Sequence, residues 1–284
     1  MEILKSIVLG LIQGFTEFFP VSSSGHLIIF PYFFKWDFPS IIFAVTLHFA
    51  TLLALITVLY RQIWQIIKKF FIGIFIRQYR QDPNFKLAVY IIISSIPAAI
   101  AGYLFNDYIE TLFSSPVYAA LFLLVTAAIL IIFEYIGKKN EVKNIEESKY
   151  LKKINWLSAL FIGVGQAVSI LPGISRSGTT ISTARIFGVK REEAVRFSFL
   201  ISIPVIFGSF VYELAKAIKN STVFISGDAI SIVSVIIGFI AAYFSGLIAI
   251  KFLTKFSAKR NLNIFAVYCV LLSIIFFIVY FIRK

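Results

Sequence analysis

Six stretches of this chain are each long and apolar enough to cross a bilayer, and that feature limits its possible folds more than any other. They run from about Ile41 to Tyr60, Leu87 to Phe105, Val117 to Phe133, Phe197 to Tyr212, Ala229 to Ile250 and Ile264 to Ile282. A hydrocarbon core about 30 Å thick needs about 20 helical residues. Lipid offers backbone N–H and C=O groups no partners, so runs of this kind cross as helices. All six are apolar around the whole circumference, as buried or lipid-facing helices are. Composition agrees: 59% apolar and 14% charged residues cannot cover a globule facing water, where about 25% charged is usual. The expected class is an all-α integral membrane protein.

Two further apolar stretches are interrupted. Ser6 to Phe30 carries Gln13, Glu17, Pro20, three consecutive serines, Gly25 and His26; Trp156 to Phe187 carries Gln166, Pro172, Gly173, Ser175, Arg176, Ser177, Gly178 and the adjacent threonines Thr179 and Thr180. Backbone broken by Pro and Gly at membrane depth persists where it is buried in protein or lines a wet cavity. Both stretches therefore read as re-entrant helix-loop-helix hairpins that enter and turn back.

Loop charge agrees with that reading. The chain carries 27 Lys and Arg against 14 Asp and Glu, a net +13. The basic residues lie between apolar runs, which points to anionic headgroups and away from nucleic acid. If the hairpins return and the six spans alternate, twenty of the 27 basic residues fall on one side, in loops Arg61–Lys86, Lys138–Lys153, Arg185–Arg196 and Lys251–Arg260. That side is expected to be cytoplasmic, with both termini outside. Trp36, Trp64 and Trp156 flank spans as interface anchors, and Lys68 and Lys69 beside Phe70–Ile76 read as an interfacial amphipathic segment. Glu110, Asp107 and Asp228 read as solvated, and Cys269, the single cysteine, excludes a disulfide framework.

The interrupted segments resemble each other. A shift of 153 residues lays Gly10 on Gly163, Gln13 on Gln166, Ser22 on Ser175, Ser24 on Ser177 and Gly25 on Gly178. Each unit holds one hairpin and three spans, an odd number, so the second copy is inverted, with the functional site where the broken helices meet. The expectation is one intertwined domain over 1–284, with repeat one at about 1–137 and repeat two at about 154–284.

The chemistry lies in the hairpins. Gln13 and Glu17 are four apart on one helix face. A carboxylate at membrane depth faces a partner or a wet cavity; its plain structural use is a pair with Arg176, its sharper one a cation. Mg²⁺ takes one or two carboxylates and completes its shell with water and phosphate oxygens, and Gln13 adds an amide oxygen. Ser22, Ser23, Ser24 and Gly25 sit where a returning helix begins. Serines there serve as caps, and such a helix start is also a ready anion site. Ser23 and His26 are three apart, a spacing that brings a hydroxyl beside an imidazole, as an activated nucleophile needs. Arg176 offers a permanent, planar, phosphate-shaped fork between Ser175, Ser177, Thr179 and Thr180. Together these favour a bound phosphate. His48, alone in the first clean span, reads as a packed, hydrogen-bonded residue.

The stretches Gln13-Gly14-Phe15-Thr16-Glu17-Phe18-Phe19-Pro20-Val21-Ser22-Ser23-Ser24-Gly25-His26 and Pro172-Gly173-Ile174-Ser175-Arg176-Ser177-Gly178-Thr179-Thr180 closely resemble the undecaprenyl-diphosphate phosphatase family, also called bacitracin-resistance proteins. Gln13 occupies the first position of that family's Glu/Gln-x-x-x-Glu pattern. The resemblance implies hydrolysis of undecaprenyl diphosphate to the monophosphate and inorganic phosphate, recycling the lipid carrier of cell-wall synthesis. It implies a bacterial cell-membrane protein with its active site on the outer side, needing a divalent cation, Mg²⁺ or Ca²⁺. Its partners would be a polyprenyl diphosphate lipid and anionic lipids, with a homodimer allowed. Carried over, Ser23 is nucleophile or phosphate ligand, His26 general acid/base or alternative nucleophile, Arg176 the phosphate clamp, and Glu17 with Gln13 the metal or water site. Ser22, Ser24, Gly25, Ser175, Ser177, Thr179 and Thr180 complete the phosphate pocket. Broken helices in inverted repeats also serve alternating access, so a transporter or flippase of a phosphorylated polyprenyl lipid is the competing expectation.

Overall fold

The computed structural model describes residues 2–37, 39–142, 154–219 and 232–284, and among these every regular element is helical. The helices are α1 (Glu2–Phe18), α2 (Ser23–Phe34), α3 (Ile41–Phe75), α4 (Pro83–Leu104), α5 (Asn106–Phe113), α6 (Pro116–Val142), α7 (Trp156–Val168), α8 (Arg176–Ile186), α9 (Arg191–Lys219), α10 (Ile232–Lys259) and α11 (Asn263–Arg283), with a short 3₁₀ turn at Arg77–Gln81. Six of them, α3, α4, α6, α9, α10 and α11, are long and apolar enough to cross a membrane, and they coincide with the six apolar runs. The linker charges of 143–153 and Asp228 lie outside the described residues.

Local chemistry sets several boundaries. Asp82 caps α4 by accepting from the Asn84 N–H at 2.8 Å, with Pro83 at the first helical position, where its missing N–H costs nothing. Asn155 and Ser158 form a reciprocal capping box on α7, satisfying two otherwise free donors. Lys35 ends α2 in the left-handed conformation, φ 54°.

The segment expected to lie flat around Lys68 and Lys69 instead continues α3 as one 35-residue helix. Lys69 has partners off the helix, its Nζ lying 3.1 Å from Asp82 Oδ2 and over the Tyr79 ring. One other loop expectation is corrected. Arg185, counted as a loop charge, is fully buried in α8, its Nη1 donating to the Val189 carbonyl and its Nη2 3.8 Å from Glu134; Glu134 also pairs with Arg191. Glu110, expected to be solvated, is exposed, and there it pairs with Lys216 and accepts from Asn106.

The two interrupted segments are helix pairs too short to span singly. At 1.5 Å per residue, α1 and α2, of 17 and 12 residues, reach about 26 and 18 Å, and α7 and α8, of 13 and 11, about 20 and 17 Å. Each first helix packs through glycine onto a span from the other half of the chain. A methyl group at Gly10 would lie 2.4 Å from the Gly238 carbonyl of α10, and one at Gly163 2.6 Å from the Ser94 carbonyl of α4. Small residues allow this backbone approach without a hydrophobic driving force. A serine on each partner helix reaches back: Ser245 Oγ lies 3.4 Å from the Gly10 carbonyl and Ser94 Oγ 2.7 Å from that of Ala159.

Candidate active site

The tips of the two helix pairs meet inside the bundle. Ser22 caps α2, its Oγ accepting from the Gly25 N–H at 3.3 Å with Ser24 Oγ 3.2 Å away; Ser175 caps α8 in the same way, accepting from Gly178 at 3.0 Å with Ser177 Oγ at 3.2 Å. Between the tips, Ser177 Oγ donates to the Phe19 carbonyl at 3.0 Å, and a methyl group at Gly25 would touch the Gly173 Cα at 3.1 Å. Gly173 itself sits at φ 97°, a region open to glycine, and its carbonyl accepts from Thr126 of α6 at 2.8 Å.

Glu17, at the end of α1, is the hub. Its Oε2 accepts from Ser23 Oγ at 2.7 Å and from Gln13 Nε2 at 2.9 Å, and lies 3.5 Å from His48 Nε2; its Oε1 accepts from Arg176 Nη2 at 2.9 Å. The plain reading of Glu17 is what the geometry shows, an ion pair with Arg176, and the same carboxylate also accepts the Ser23 hydroxyl. Arg176 also lies within 3.4 Å of the Ser198 carbonyl through Nη1. A buried charge tolerates its surroundings when paired and hydrogen-bonded, and Glu17, 5% exposed at its side chain, has both. Ser23, Ser24, Arg176 and His48 are partly exposed, whereas the carboxylate itself is covered.

The other predicted residues are placed differently. His26 lies beside Ser22 and Tyr268, with Nδ1 2.7 Å from the Ser22 carbonyl and Nε2 2.7 Å from Tyr268 Oη; the hydroxyl of Ser23 is turned to Glu17 instead. The three-residue spacing brought the two side chains to one turn without pairing them, because a carboxylate is the stronger acceptor. Thr179 Oγ1 bonds the Ser175 and Arg176 carbonyls, and Thr180 Oγ1 bonds the Arg176 carbonyl and Ser198 Oγ at 2.7 Å. Ser22, Gly25, Ser175, Ser177, Thr179 and Thr180 are all buried. Sequence reasoning missed Tyr268, Ser198 and Thr126, ordinary polar residues inside spans, and set His48 aside. A histidine in a clean span was the one signal available.

For a cation the donor set is oxygen-rich but small. Among the described residues no group of three or more His, Cys, Asp or Glu is placed to hold a metal. Gln13 Oε1, however, is buried with no hydrogen-bond partner beside the Glu17 carboxylate. One carboxylate and one free amide oxygen suit a hard cation that takes its remaining ligands from water and phosphate.

A helical bundle with six membrane-crossing helices, enclosing an Arg–Glu–Ser centre at two facing helix starts, is an integral membrane protein. The sequence matches the family described as bacitracin resistance protein BacA over residues 6–275, and the chain belongs to that family. It is 41% identical over 276 residues to an undecaprenyl-diphosphatase of Thermosipho africanus, covering 97% of this chain and 100% of the relative. It is 38% identical to an undecaprenyl-diphosphatase of Methanobrevibacter smithii (98% and 97% covered) and 36% identical to undecaprenyl-diphosphatase 1 of Shouchella clausii (98% and 96% covered).

Proposed function

We propose that this chain is a membrane phosphatase that hydrolyses undecaprenyl diphosphate to undecaprenyl phosphate and inorganic phosphate, recycling the lipid carrier for cell-wall synthesis and conferring bacitracin resistance. The full-length relatives carry that activity in their names, which favours hydrolysis over the transporter reading. The observation that carries the mechanism is the Glu17 carboxylate with Ser23 on one oxygen and Arg176 on the other. In this reading Ser23 Oγ attacks the terminal phosphorus, its proton passes to Glu17 Oε2, and the bridging oxygen leaves with undecaprenyl phosphate. Water then cleaves the phosphoserine. Arg176 swings part of its fork onto the phosphoryl oxygens, where charge spreads in the transition state, and the capped starts of α2 and α8 face the same anion. A divalent cation, Mg²⁺ or Ca²⁺, would be held by Gln13 Oε1 and Glu17 and would neutralise diphosphate charge.

The architecture we propose is a single domain of two inverted repeats, about 1–137 and 154–284, each a re-entrant hairpin and three spans. Its support is the exchange of first helices, α1 onto α10 and α7 onto α4, and the matched caps at Ser22 and Ser175. The basic loops support an orientation in the cell membrane with the twenty-charge side cytoplasmic, in contact with anionic lipids, and the site reached from outside. Arg185 is withdrawn from that count because it is buried, and the asymmetry survives its loss.

Purified protein in detergent, given undecaprenyl diphosphate, tests the reading by phosphate release. Ser23→Ala and Arg176→Ala are each expected to lower kcat by about 10²-fold or more. Chelator is expected to abolish release, and Gln13→Ala to raise the cation concentration needed to restore it. Near-normal turnover in Arg176→Ala would sink the assignment, as would lipid translocation in sealed vesicles without phosphate release.

A further inference from the structure

Among the described residues, the site contains a histidine whose two ring nitrogens are both already engaged. His26 is 1% exposed, and its ring lies between Phe30, with centroids 5.7 Å apart, and Tyr268, 5.5 Å away and within 6° of parallel. Nδ1 faces the Ser22 carbonyl at 2.7 Å. A carbonyl only accepts, so Nδ1 carries the hydrogen. Nε2 is then the acceptor of the neutral ring, and Tyr268 Oη, 2.7 Å away, donates to it. A base needs a free lone pair aimed at the proton it removes. The lone pair of His26 is taken by Tyr268, and the Ser23 proton points to Glu17.

The other end of this bridge is the most strained backbone in the site. Ser22 has φ 68° and ψ 99°, and among the described residues it is one of two non-glycine residues at positive φ, the other being the helix-ending Lys35. Such conformations persist when their surroundings over-determine them. The Ser22 carbonyl is held twice by residue 26, by the ring Nδ1–H and by the backbone N–H at 3.3 Å. The next residue is Ser23. A rigid path therefore runs from α11 through Tyr268 and His26 to the peptide that aims the Ser23 hydroxyl.

We propose that Tyr268 and His26 form a positioning strut that fixes the Ser22–Ser23 turn, so that His26 serves the reaction as a neutral hydrogen-bond bridge and transfers no proton. The inference rests on the phosphatase reading above and extends it to a residue of the last helix that no motif contains.

The test separates a bridge from a base by substitution. Asparagine places an N–H near the position of Nδ1 and cannot act as a base at neutral pH. His26→Asn is expected to keep kcat within about tenfold of wild type, whereas His26→Ala loses about a hundredfold. Tyr268→Phe, which keeps the ring and removes the hydroxyl, is expected to lower kcat about tenfold with KM unchanged. Melting in detergent shows which variants fold. His26→Asn as inactive as His26→Ala, with a wild-type melting profile, overturns the proposal, and so does wild-type kcat in Tyr268→Phe.

A readout independent of turnover comes from the ring itself. The chain has two histidines, so ¹⁵N-histidine-labelled protein in detergent gives two ring patterns, assigned with His48→Gln. The expected His26 pattern is the Nδ1–H neutral tautomer; the Nε2–H tautomer overturns the strut even if His26→Asn does not fold. If wild-type protein releases no phosphate, the functional reading falls, and the tautomer still decides the strut.

Discussion

Glu17 shows how one side chain serves both stability and chemistry. Its carboxylate is shared by Gln13, Ser23, His48 and Arg176, so changing it disturbs the ion pair and the Ser23 hydroxyl, the proposed nucleophile, at once. Glu17→Gln keeps the shape and loses the charge. It is expected to lower phosphate release by about 10²-fold or more while shifting the melting point less than Glu17→Ala, which leaves the part-buried Arg176 without its carboxylate and opens a gap beside it. Gly173 is a purer structural case: at φ 97°, with a would-be methyl group 2.2 Å from the Ala119 carbonyl, Gly173→Ala is expected to cost about 1–3 kcal/mol, read as a lowered melting point. At this scale the sequence was informative wherever a polar residue interrupted an apolar run. Ser22, Ser23, Glu17 and Arg176 stood out for that reason. Tyr268 did not, since a tyrosine in a span is unremarkable until its hydroxyl is found against His26, 242 residues away.

The helices were legible because hydropathy over about 20 residues reports directly on what lipid tolerates. Their ends were less so. Charges at Arg61, Lys68 and Lys69 suggested that α3 stops near Tyr60, but a helix continues past charged residues when partners such as Asp82 receive them. Helix contacts that depend on glycine were visible only as a repeated position, Gly10 with Gly163, without their partners. Gly163→Ala is expected to cost about 1–3 kcal/mol by overpacking against the Ser94 backbone, and the matching Gly10→Ala to do the same against Gly238, each measured by thermal unfolding in detergent. At the far end of α8 from Arg176, Glu134 lies beside the buried Arg185 and the part-buried Arg191. Removing a partner from a buried pair costs about 3–5 kcal/mol. Glu134→Ala is accordingly expected to lower the melting point strongly, and activity with it, since α8 also carries Arg176, the proposed phosphate clamp.

Over the whole molecule, the feature with the widest reach is the seating of α1 on α10. Truncation after Lys219 removes α10 and α11 and with them Cys269, the single native cysteine. In that background Ser6→Cys, on the buried face of α1, is expected to react quickly with a membrane-permeant thiol reagent, while the same cysteine in the full-length chain stays protected. Equal labelling of both would mean that α1 is covered by something other than α10. The contact also sets a schedule for synthesis. Gly10 meets Ser245 across 235 residues of chain, so at ribosomal speeds of about 5–20 residues per second the first helix waits roughly ten to fifty seconds for its seat. Throughout that interval a nascent segment carrying a carboxylate, three serines and an imidazole must be sheltered in the bilayer by something that is not yet the finished protein.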